Sequence, residues 1–262
     1  APTATTTIDY CEDDAAVALS ATASSGHTLV WYGSDGTTVL SGAPTPSTSS
    51  AGTTNYYVAQ NATLTDCEGP KTTITVTVSG TPVAPTVSDV SYCNNETATA
   101  LTATASTGNT LVWYDASQTG ITTPTPSTSS VGSVTYYVAQ QTASGCEGPK
   151  SLVTVTINAL PVAPTATTAI AYCKDATATA LTATASGSHT LVWYDTDGTT
   201  VLSGAPTPST SSVGTTTYYV AQNNTLTSCE GPQTTITITV NALPVAPTAT
   251  TTIDYCEDDA AV

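Results

Sequence analysis

The tetrapeptide Leu29-Val30-Trp31-Tyr32 decides the fold, because it returns as residues 111–114 and 191–194. These three copies contain all the tryptophans of the chain. Each copy has the same surroundings: Tyr-Cys precedes it, and Pro-Thr-Pro-Ser-Thr-Ser-Ser, Tyr-Tyr-Val-Ala-Gln and Cys-Glu-Gly-Pro follow it. The chain is therefore one small module written three times.

The cysteine of Tyr-Cys marks the start of each module, at positions 11, 93, 173 and 256. Residues 246–262 repeat residues 1–17 without a change, which gives a larger period of 245 residues. This larger period predicts that the chain is a window of a longer array. We predict modules 1, 2 and 3 and the start of a fourth, with these bounds: 1–83, 84–162, 163–245 and 246–262.

Hydrophobic residues alternate with polar ones along several stretches, and this period of two is typical of strands. Residues 17–23 alternate in this way and predict strand B, with Val17 and Leu19 on the inward face. Leu29 and Trp31 predict strand C, Tyr56 lies on strand F, and residues 74–78 predict strand G. No period of 3.6 residues appears. The pattern predicts an all-β chain in which each module is a two-sheet sandwich.

The inward positions of these strands predict the core. It contains the three tryptophans and the first tyrosine of each Tyr-Tyr pair: Trp31, Trp113, Trp193, Tyr56, Tyr136 and Tyr218. Residues 44–46 predict an edge strand or an irregular crossing, because proline cannot donate to a ladder. Proline also recurs in the linkers 81–85, 160–164 and 243–247. Since proline restricts bending, the modules are predicted to form a semi-rigid rod, arranged end to end.

The charge of the chain excludes several partners. Nineteen acidic residues face three lysines, and the net charge is −16. Such a chain has no basic patch to neutralise phosphates, so we predict neither nucleic-acid binding nor attachment to an anionic membrane. The sequence also lacks an apolar run long enough for insertion into a membrane.

Taken in order, the motifs Tyr-Cys, Leu-Val-Trp-Tyr, Thr-Pro-Ser-Thr, Tyr-Tyr-Val and Cys-Glu resemble the immunoglobulin-like repeats of very large surface proteins in gliding and surface-attached Bacteroidota. The resemblance covers all three modules. It implies tandem immunoglobulin-like sandwiches, export by the type IX secretion route, an extracellular place on the cell surface, and a role beside adhesins, motility filaments or polysaccharide-degrading enzymes. Antibody domains carry a second core cysteine on strand F, where this chain has Val58, Val138 and Val220.

Each module carries two cysteines at fixed positions, which predicts disulfides and an oxidising, extracellular setting. In an immunoglobulin-like sandwich the turn before strand B and the F–G turn lie at opposite ends, roughly 20 Å apart, whereas a disulfide needs Cα atoms within about 7 Å. We therefore favour pairs between modules, Cys11–Cys146 and Cys93–Cys229, with Cys67, Cys173 and Cys256 pairing outside the chain. Pairs within a module remain an alternative, as do free thiols. The pairs within a module would be Cys11–Cys67, Cys93–Cys146 and Cys173–Cys229.

The residues that could carry chemistry do not form a consistent site. His27 and His189 are equivalent, but Asn109 replaces them in the middle module, so we predict that the chain is not an enzyme. Lys71 and Lys150 also match each other, but Gln233 replaces the third copy, which argues against a crosslinking role.

We predict no cofactor, and calcium is the one metal considered. Residues 195–198 resemble the opening of a calcium loop but lack the later glutamate, so a hairpin turn is favoured. The acidic clusters Glu12-Asp13-Asp14 and 257–259 are the remaining calcium candidates.

These observations lead to a structural hypothesis: the chain is the stalk of a long extracellular filament or adhesin, and each module is a stiff, disulfide-linked spacer. Its partners would then be further copies of the repeat in the same chain, with lateral self-association as an addition. Two alternatives remain open. The modules could bind surface polysaccharide weakly and gain strength by multivalency, or they could separate a secreted polysaccharide-degrading enzyme from its anchor. Insertion of the first strand of the fourth module into a neighbouring subunit is a further hypothesis.

Overall fold

The computed structural model describes residues 1–249, Thr252 and Glu257. Within this part of the chain there are strands, turns and irregular segments but no helix, so none that could cross a membrane. The chain divides into two compact units, Ala1–Ile157 and Asn158–Val262. The first unit contains module 1 and module 2 up to residue 157, and the second contains residues 158–162 and module 3. Most of the predicted fourth module lies outside the described residues.

Module 1 is built on one five-stranded sheet and a much smaller second layer. Its strands are β1 (Thr3–Ala4), β2 (Thr7–Cys11), β3 (Ala21–Thr22), β4 (His27–Tyr32), β5 (Val39–Leu40), β6 (Gly52–Ala62) and β7 (Thr72–Ser79). The large sheet has the order β2-β7-β6-β4-β5, in which β2 runs parallel to β7 and the other pairs are antiparallel. The small layer is the pair β1–β3.

Module 2 repeats the large sheet with shorter accessory strands. Its strands are β8 (Val90–Cys93), β9 (Thr110–Tyr114), β10 (Gly120–Ile121), β11 (Gly132–Gln141) and β12 (Ser151–Asn158). The order is β10-β9-β11-β12-β8, and the small layer is reduced to one bridge between Thr86 and Thr104.

Module 3 has the arrangement of module 1. Its strands are β13 (Thr165–Ala166), β14 (Ala169–Cys173), β15 (Ala183–Thr184), β16 (His189–Tyr194), β17 (Val201–Leu202), β18 (Gly214–Asn224) and β19 (Thr234–Asn241). The sheet order is β14-β19-β18-β16-β17, with β14 parallel to β19. All three modules thus confirm the all-β fold.

The core of each module follows from the period of two along its strands. Ile74 and Val76 of β7 are buried, and Thr75 between them is partly exposed. Trp31 lies opposite Val58 in the ladder between β4 and β6, and Trp31 is only 5% exposed. Trp113 and Trp193 occupy the matching cores. Burial of each tryptophan removes about 150–250 Å² from water, which contributes on the order of several kcal/mol. Partly buried tyrosines pack against these clusters: Tyr56, Tyr136 and Tyr218.

The prediction for strand B was wrong in its extent. Only Ala21–Thr22 joins a ladder, and Val17 is 70% exposed. The partner strand β1 has two residues, so a longer strand would have no neighbour to share its hydrogen bonds. Leu19 is buried nevertheless, and its N–H donates to the carbonyl of Pro44 at 2.9 Å. The proline segment therefore replaces a ladder strand at this point.

The strands that end in Tyr-Cys, namely β2, β8 and β14, were missed by the sequence analysis. They are short and join the edge of the large sheet beside β7, β12 and β19. In module 1, Thr7 lies beside Thr75 and Cys11 beside Ser79. This edge pairing holds each cysteine of Tyr-Cys at the end of its module where the last strand also ends.

Candidate inter-module junction

The turn after Cys11 is held by the Pro-Thr-Pro-Ser-Thr segment. Asp13 adopts a left-handed backbone conformation with φ 66°, which aspartate tolerates better than most residues. Its N–H donates to the carbonyl of Thr48 at 2.9 Å, and the Thr48 hydroxyl donates to the carbonyl of Asp14 at 2.6 Å. Equivalent contacts hold the turns after the other two cysteines of this type: Asn95 with Thr128, and Asp175 with Thr210. The repeated segment thus fixes where this cysteine points.

A disulfide joins module 1 to module 2. It connects Cys11 at the end of β2 to Cys146, which lies in the loop between β11 and β12. This loop is the F–G loop of module 2 (residues 142–150), and its counterparts are residues 63–71 and 225–233. The Cα atoms of the two cysteines are 5.4 Å apart, within the range of ordinary disulfides. Cys146 is 1% exposed, and Cys11 is partly exposed.

The pairs within a module are contradicted. The Cys11–Cys146 bond excludes Cys11–Cys67 and Cys93–Cys146, because each cysteine forms one disulfide. Cys67 and Cys173 are free and exposed, which also excludes Cys173–Cys229. The physical reason is that the two cysteines of one module lie at opposite ends of its sheet.

The remaining cysteines leave two earlier expectations open. Cys93 and Cys229 are each disulfide-bonded, so the free-thiol alternative does not apply to them. Their pairing with each other stays a prediction. Cys256 lies outside the described residues.

A buried glutamine fastens the linker to module 2. The side chain of Gln140, the last residue of Tyr-Tyr-Val-Ala-Gln, is 1% exposed. Its Nε2 donates to the carbonyl of Val83 at 2.9 Å, and its Oε1 accepts from Ser106 N at 2.5 Å. Gln222 does the same in module 3, with Val162 and Ser186. An amide buried without such partners would cost about 1–3 kcal/mol, so linker and glutamine stabilise each other.

The glycine of Cys-Glu-Gly-Pro leaves room for the linker to cross. A Cβ atom at Gly148 would lie 2.0 Å from the carbonyl oxygen of Pro82, and one at Gly231 would lie 2.3 Å from that of Pro161. Both distances are far below contact, so no side chain fits at either position. The linker backbone therefore occupies the space that a side chain would take.

A third contact completes the attachment of the linker. Ser151, at the start of β12, donates its hydroxyl to the carbonyl of Pro85 at 2.6 Å. Thr234 makes the same bond to Pro164 at 2.5 Å, and Thr72 makes it to Pro2 at 2.8 Å. We call the glutamine, the glycine and the F–G loop together the F–G end of a module.

The glutamate and lysine of the F–G loop contact the tyrosine of Leu-Val-Trp-Tyr. In module 2 the Tyr114 hydroxyl donates to the carboxylate of Glu147, and Lys150 Nζ lies 3.4 Å from the centre of the tyrosine ring. Module 1 has the same arrangement, with Lys71 at 3.5 Å from the ring of Tyr32.

In module 3 the Tyr194 hydroxyl donates to Glu230 at 2.5 Å, and Gln233 replaces the lysine. Gln233 donates to the carbonyl of Gly198, as Lys71 does to that of Gly36. The sequence analysis missed this cluster, although its tyrosine and glutamate recur together in every module.

The environment of these tyrosines raises their pKa. The hydrogen bond to Glu68, together with burial, raises the pKa of Tyr32 to about 12. Burial, and then the bond to the partner glutamate, raises the pKa of Tyr114 and of Tyr194 to about 12. Each hydroxyl is therefore a neutral donor across the physiological pH range.

The histidines and acidic residues hold local turns. His27 begins β4, and its Nδ1 lies 3.0 Å from the carbonyl of Ser25. Asp197 accepts from the backbone N–H groups of Thr199 and Thr200, which is the geometry of a turn. Hydrogen bonds from Thr200 hold the pKa of the Asp197 carboxyl below its usual range.

In the described part of the chain no three His, Cys, Asp or Glu side chains are grouped as metal ligands. Asp14 accepts from the N–H of Cys11 at 2.7 Å. Calcium binding at residues 12–14 stays a prediction, and the cluster 257–259 lies outside the described residues except for Glu257.

Several solved structures of immunoglobulin domains or fibronectin(III)-like modules are similar to this chain. The fibronectin(III)-like modules of Clostridium thermocellum CbhA are 14% identical, with a TM-score of 0.34, and the match covers 63% of this chain and 96% of that one. Immunoglobulin domains 1–4 of Sidekick-1 are 13% identical, with a TM-score of 0.28 and coverage of 92% and 76%. At these TM-scores the similarity supports no statement about function.

A third similar structure is SGBP-B from the mixed-linkage glucan utilisation locus of Bacteroides ovatus, 17% identical, with a TM-score of 0.21 and coverage of 90% and 65%. No curated protein matches the sequence. The family comparison is decisive, because one family matches residues 1–79, 82–159 and 161–242, which together are most of the chain. The chain belongs to the family described as Ig-like domains associated with CHU_C, a Bacteroidota type, and contains three tandem copies.

Proposed function

We propose that this chain is a section of the stalk of a long extracellular filament or adhesin on a bacterial cell surface, and that its modules are stiff spacers. The observation that carries the proposal is the Cys11–Cys146 disulfide, which closes the joint between two successive modules. A disulfide in this place withholds residues of two modules from a pulling force, whereas a disulfide within a module would withhold residues of one module.

Tension along the chain enters module 1 through residues 1–11. At Cys11 it passes through the disulfide to Cys146 and leaves residues 12–145 inside a covalent loop. The sequence separation of 135 residues corresponds to roughly 450 Å of extended chain. That length stays out of reach of a pulling force until the bond is reduced, so an array of such joints resists extension.

The linker adds stiffness to this joint. Contacts to the carbonyls of Pro82, Val83 and Pro85 fix three of its residues on module 2. Proline already restricts the backbone at two of these residues. A linker bound in this way transmits orientation from one module to the next, which suits a spacer that sets distance.

An extracellular location is part of the proposal. Disulfides persist in oxidising environments and are rare in the cytosol. The negative charge of −16 keeps such modules apart and soluble in an array. We propose no catalytic role, in keeping with the family of Ig-like repeats.

Single-molecule force spectroscopy tests the proposal on the full chain. Pulled without reductant, the chain should lack the roughly 450 Å of extension that lies within the loop. All samples carry Cys93→Ser and Cys229→Ser, because a bond at these cysteines would also withhold chain from extension. A phosphine reductant should then restore this length, and the further double variant Cys11→Ser/Cys146→Ser should show it under both conditions. The proposal is wrong if the unreduced chain extends as far as the reduced one.

The polysaccharide alternative is tested separately on a glycan array. Sugar-binding sites commonly stack a ring on an exposed aromatic side chain, but Trp31, Trp113 and Trp193 are only 3–6% exposed. We therefore expect no binding above background from the full chain. Reproducible binding to one class of polysaccharide would favour the multivalent binding function instead.

A further inference from the structure

We propose that contacts within modules 1 and 2 place the thiols of Cys11 and Cys146 together before any bond forms between them. In this proposal the hydroxyls of Thr48 and Thr142 are the positioning groups. The joint then stays closed when its disulfide is reduced, and an extracellular oxidant restores the bond. The inference rests on the joint to which we assign the stalk function, but the two can fail separately.

The first observation concerns the turn that carries Cys11. The N–H of Cys11 donates to the carboxylate of Asp14 at 2.7 Å, and the Asp14 N–H donates to the Cys11 carbonyl at 3.1 Å. The hydroxyl of Thr48 holds this turn from outside, because it donates to the carbonyl of Asp14 at 2.6 Å. All of these groups belong to module 1, so the turn needs no contact with module 2.

The second observation is that module 3 forms the same turn at Cys173, which is a free cysteine. The Ala176 N–H donates to the carbonyl of Cys173 at 3.1 Å, and the Thr210 hydroxyl donates to the carbonyl of Ala176 at 2.6 Å. Strand β14 also pairs with β19 in the way that β2 pairs with β7. The turn therefore forms without a disulfide, through the contacts of its own module.

The third observation concerns the loop that carries Cys146. The Cys146 N–H donates to the hydroxyl of Thr142 at 3.0 Å, and the Thr142 N–H donates to the Cys146 carbonyl at 2.9 Å. The second of these bonds recurs at Cys67, a free cysteine whose carbonyl accepts from the N–H of Ala62 at 3.0 Å. The loop is therefore shaped within its module, and the Thr142 hydroxyl adds a contact that alanine cannot make.

The fourth observation is a short non-covalent path between the two thiols. Cys11 lies beside Ser79 in the ladder, and Pro82 follows Ser79 by three positions in the linker. The carbonyl of Pro82 lies against Gly148, which follows Cys146 by two positions. No sulfur atom takes part in these contacts, so they persist when the disulfide is reduced. They confine the thiols far more closely than the loop of 135 residues does in the unfolded chain.

Formation of the bond is an oxidation. Two thiols lose two protons and two electrons and form one S–S bond, while one oxidised glutathione accepts them and becomes two reduced glutathiones. Positioning raises the effective concentration of one thiol at the other. In the unfolded chain this concentration is at most about millimolar, because only the long loop holds the thiols together.

Equilibration with oxidised and reduced glutathione measures this effective concentration in the full chain. Alkylation and mass spectrometry give the ratio of disulfide to dithiol. We expect an effective concentration about a thousandfold higher in buffer than in concentrated urea, and equal values would overturn the proposal. Only Cys11 and Cys146 can pair, since all samples carry the following substitutions: Cys67→Ser, Cys93→Ser, Cys173→Ser, Cys229→Ser and Cys256→Ser.

Variants of the two threonines separate positioning from general stability. Thr48→Val and Thr142→Val should each lower the effective concentration about tenfold, because each removes one hydroxyl contact. Thr48→Ser and Thr142→Ser keep the hydroxyl and should restore the parent value. Thr210→Val is the matched control, since it removes the same hydroxyl in module 3 and should change nothing at this joint. The proposal is overturned if Thr48→Val keeps the parent value or if Thr210→Val lowers it equally.

Exchange of the Gln140 side-chain amide tests whether the reduced joint stays closed. This amide donates to the carbonyl of Val83, so NMR should show slow exchange of its protons with solvent before and after reduction. Thr48→Val should leave this exchange slow, because Thr48 contacts neither residue. Exchange as fast as that of a free glutamine side chain after reduction would overturn the proposal. The force measurement on the oxidised chain would still stand as a test of the stalk.

Discussion

The F–G ends of modules 1 and 2 have the same motif, Cys-Glu-Gly-Pro-Lys, but different surroundings. In both, the lysine lies about equally far from its tyrosine ring, at 3.5 and 3.4 Å. Cys67, however, is exposed and free, whereas Cys146 is buried in a disulfide. The shape of the loop is therefore a property of the module, and burial of its cysteine is a property of the joint. Predictions that compare the two ends separate these contributions.

Loss of the disulfide has the largest expected effect. Cys146→Ser should lower the free energy of unfolding of modules 1 and 2 by about 4–5 kcal/mol, because the unfolded chain gains the freedom of a 135-residue loop. Cys67→Ser removes an unpaired thiol and should change stability by less than about 0.5 kcal/mol. Denaturant unfolding without reductant, followed by tryptophan fluorescence, measures both. Equal effects would contradict the difference between the two ends.

The second largest effect is expected when alanine replaces the glycine that the linker crosses. Gly148→Ala should destabilise the joint by about 3 kcal/mol, the upper end of the range for overpacking, because the methyl group would lie 2.0 Å from a carbonyl oxygen. Gly69→Ala has open space and should be close to neutral. Hydrogen exchange at the amides of residues 80–85 reports whether the linker leaves its groove. Unchanged exchange in Gly148→Ala would mean that the linker is not bound there.

The third largest loss of stability is expected when the buried glutamine loses its side-chain amide. Gln140→Ala should cost about 1–2 kcal/mol, since the carbonyl of Val83 and the N–H of Ser106 both lose a buried partner. Gln60→Ala removes one bond at a partly exposed position and should cost a few tenths of a kcal/mol. Differential scanning calorimetry of the two variants against the parent chain gives the comparison. An equal cost would show that the linker contact adds nothing.

The smallest expected difference between modules 1 and 2 is in the pKa of the tyrosine of Leu-Val-Trp-Tyr. The pKa of these tyrosines is about 12 in the folded chain against an ordinary value of 10.0, so the neutral phenol contributes stability that is fully present below pH 10 and lost as pH rises through 12. Glu68 is the main cause for Tyr32, whereas burial is the main cause for Tyr114. Glu68→Gln should therefore lower the pKa of Tyr32 more than Glu147→Gln lowers that of Tyr114. Tyrosinate difference absorbance against pH measures both shifts, and the reverse order would contradict the assigned causes.

Much of the fold could be predicted from the period of two. Leu19, Trp31 and Val76 are buried as their alternation predicts, and such a pattern needs no knowledge of the partner strand. The length of strand B could not be predicted, because strand B pairs with β1 and can be no longer in the ladder than β1 is. The tyrosine, glutamate and lysine cluster was missed for a similar reason. In module 1 the tyrosine and the glutamate are 36 residues apart, and only the folded sheet brings them together.

The sequence by itself determined the repeat, the all-β class, the core positions and the cysteine at each end of a module, since all of these follow from residue types and their local spacing. Tertiary structure decided which cysteines form a disulfide and where a linker packs against the glycine of Cys-Glu-Gly-Pro. The linker backbone crosses the glycine of module 2, where Pro82 lies against Gly148, and this close approach depends on the placement of neighbouring residues in the folded chain. Identical motifs therefore differ in the burial of their cysteine between modules 1 and 2.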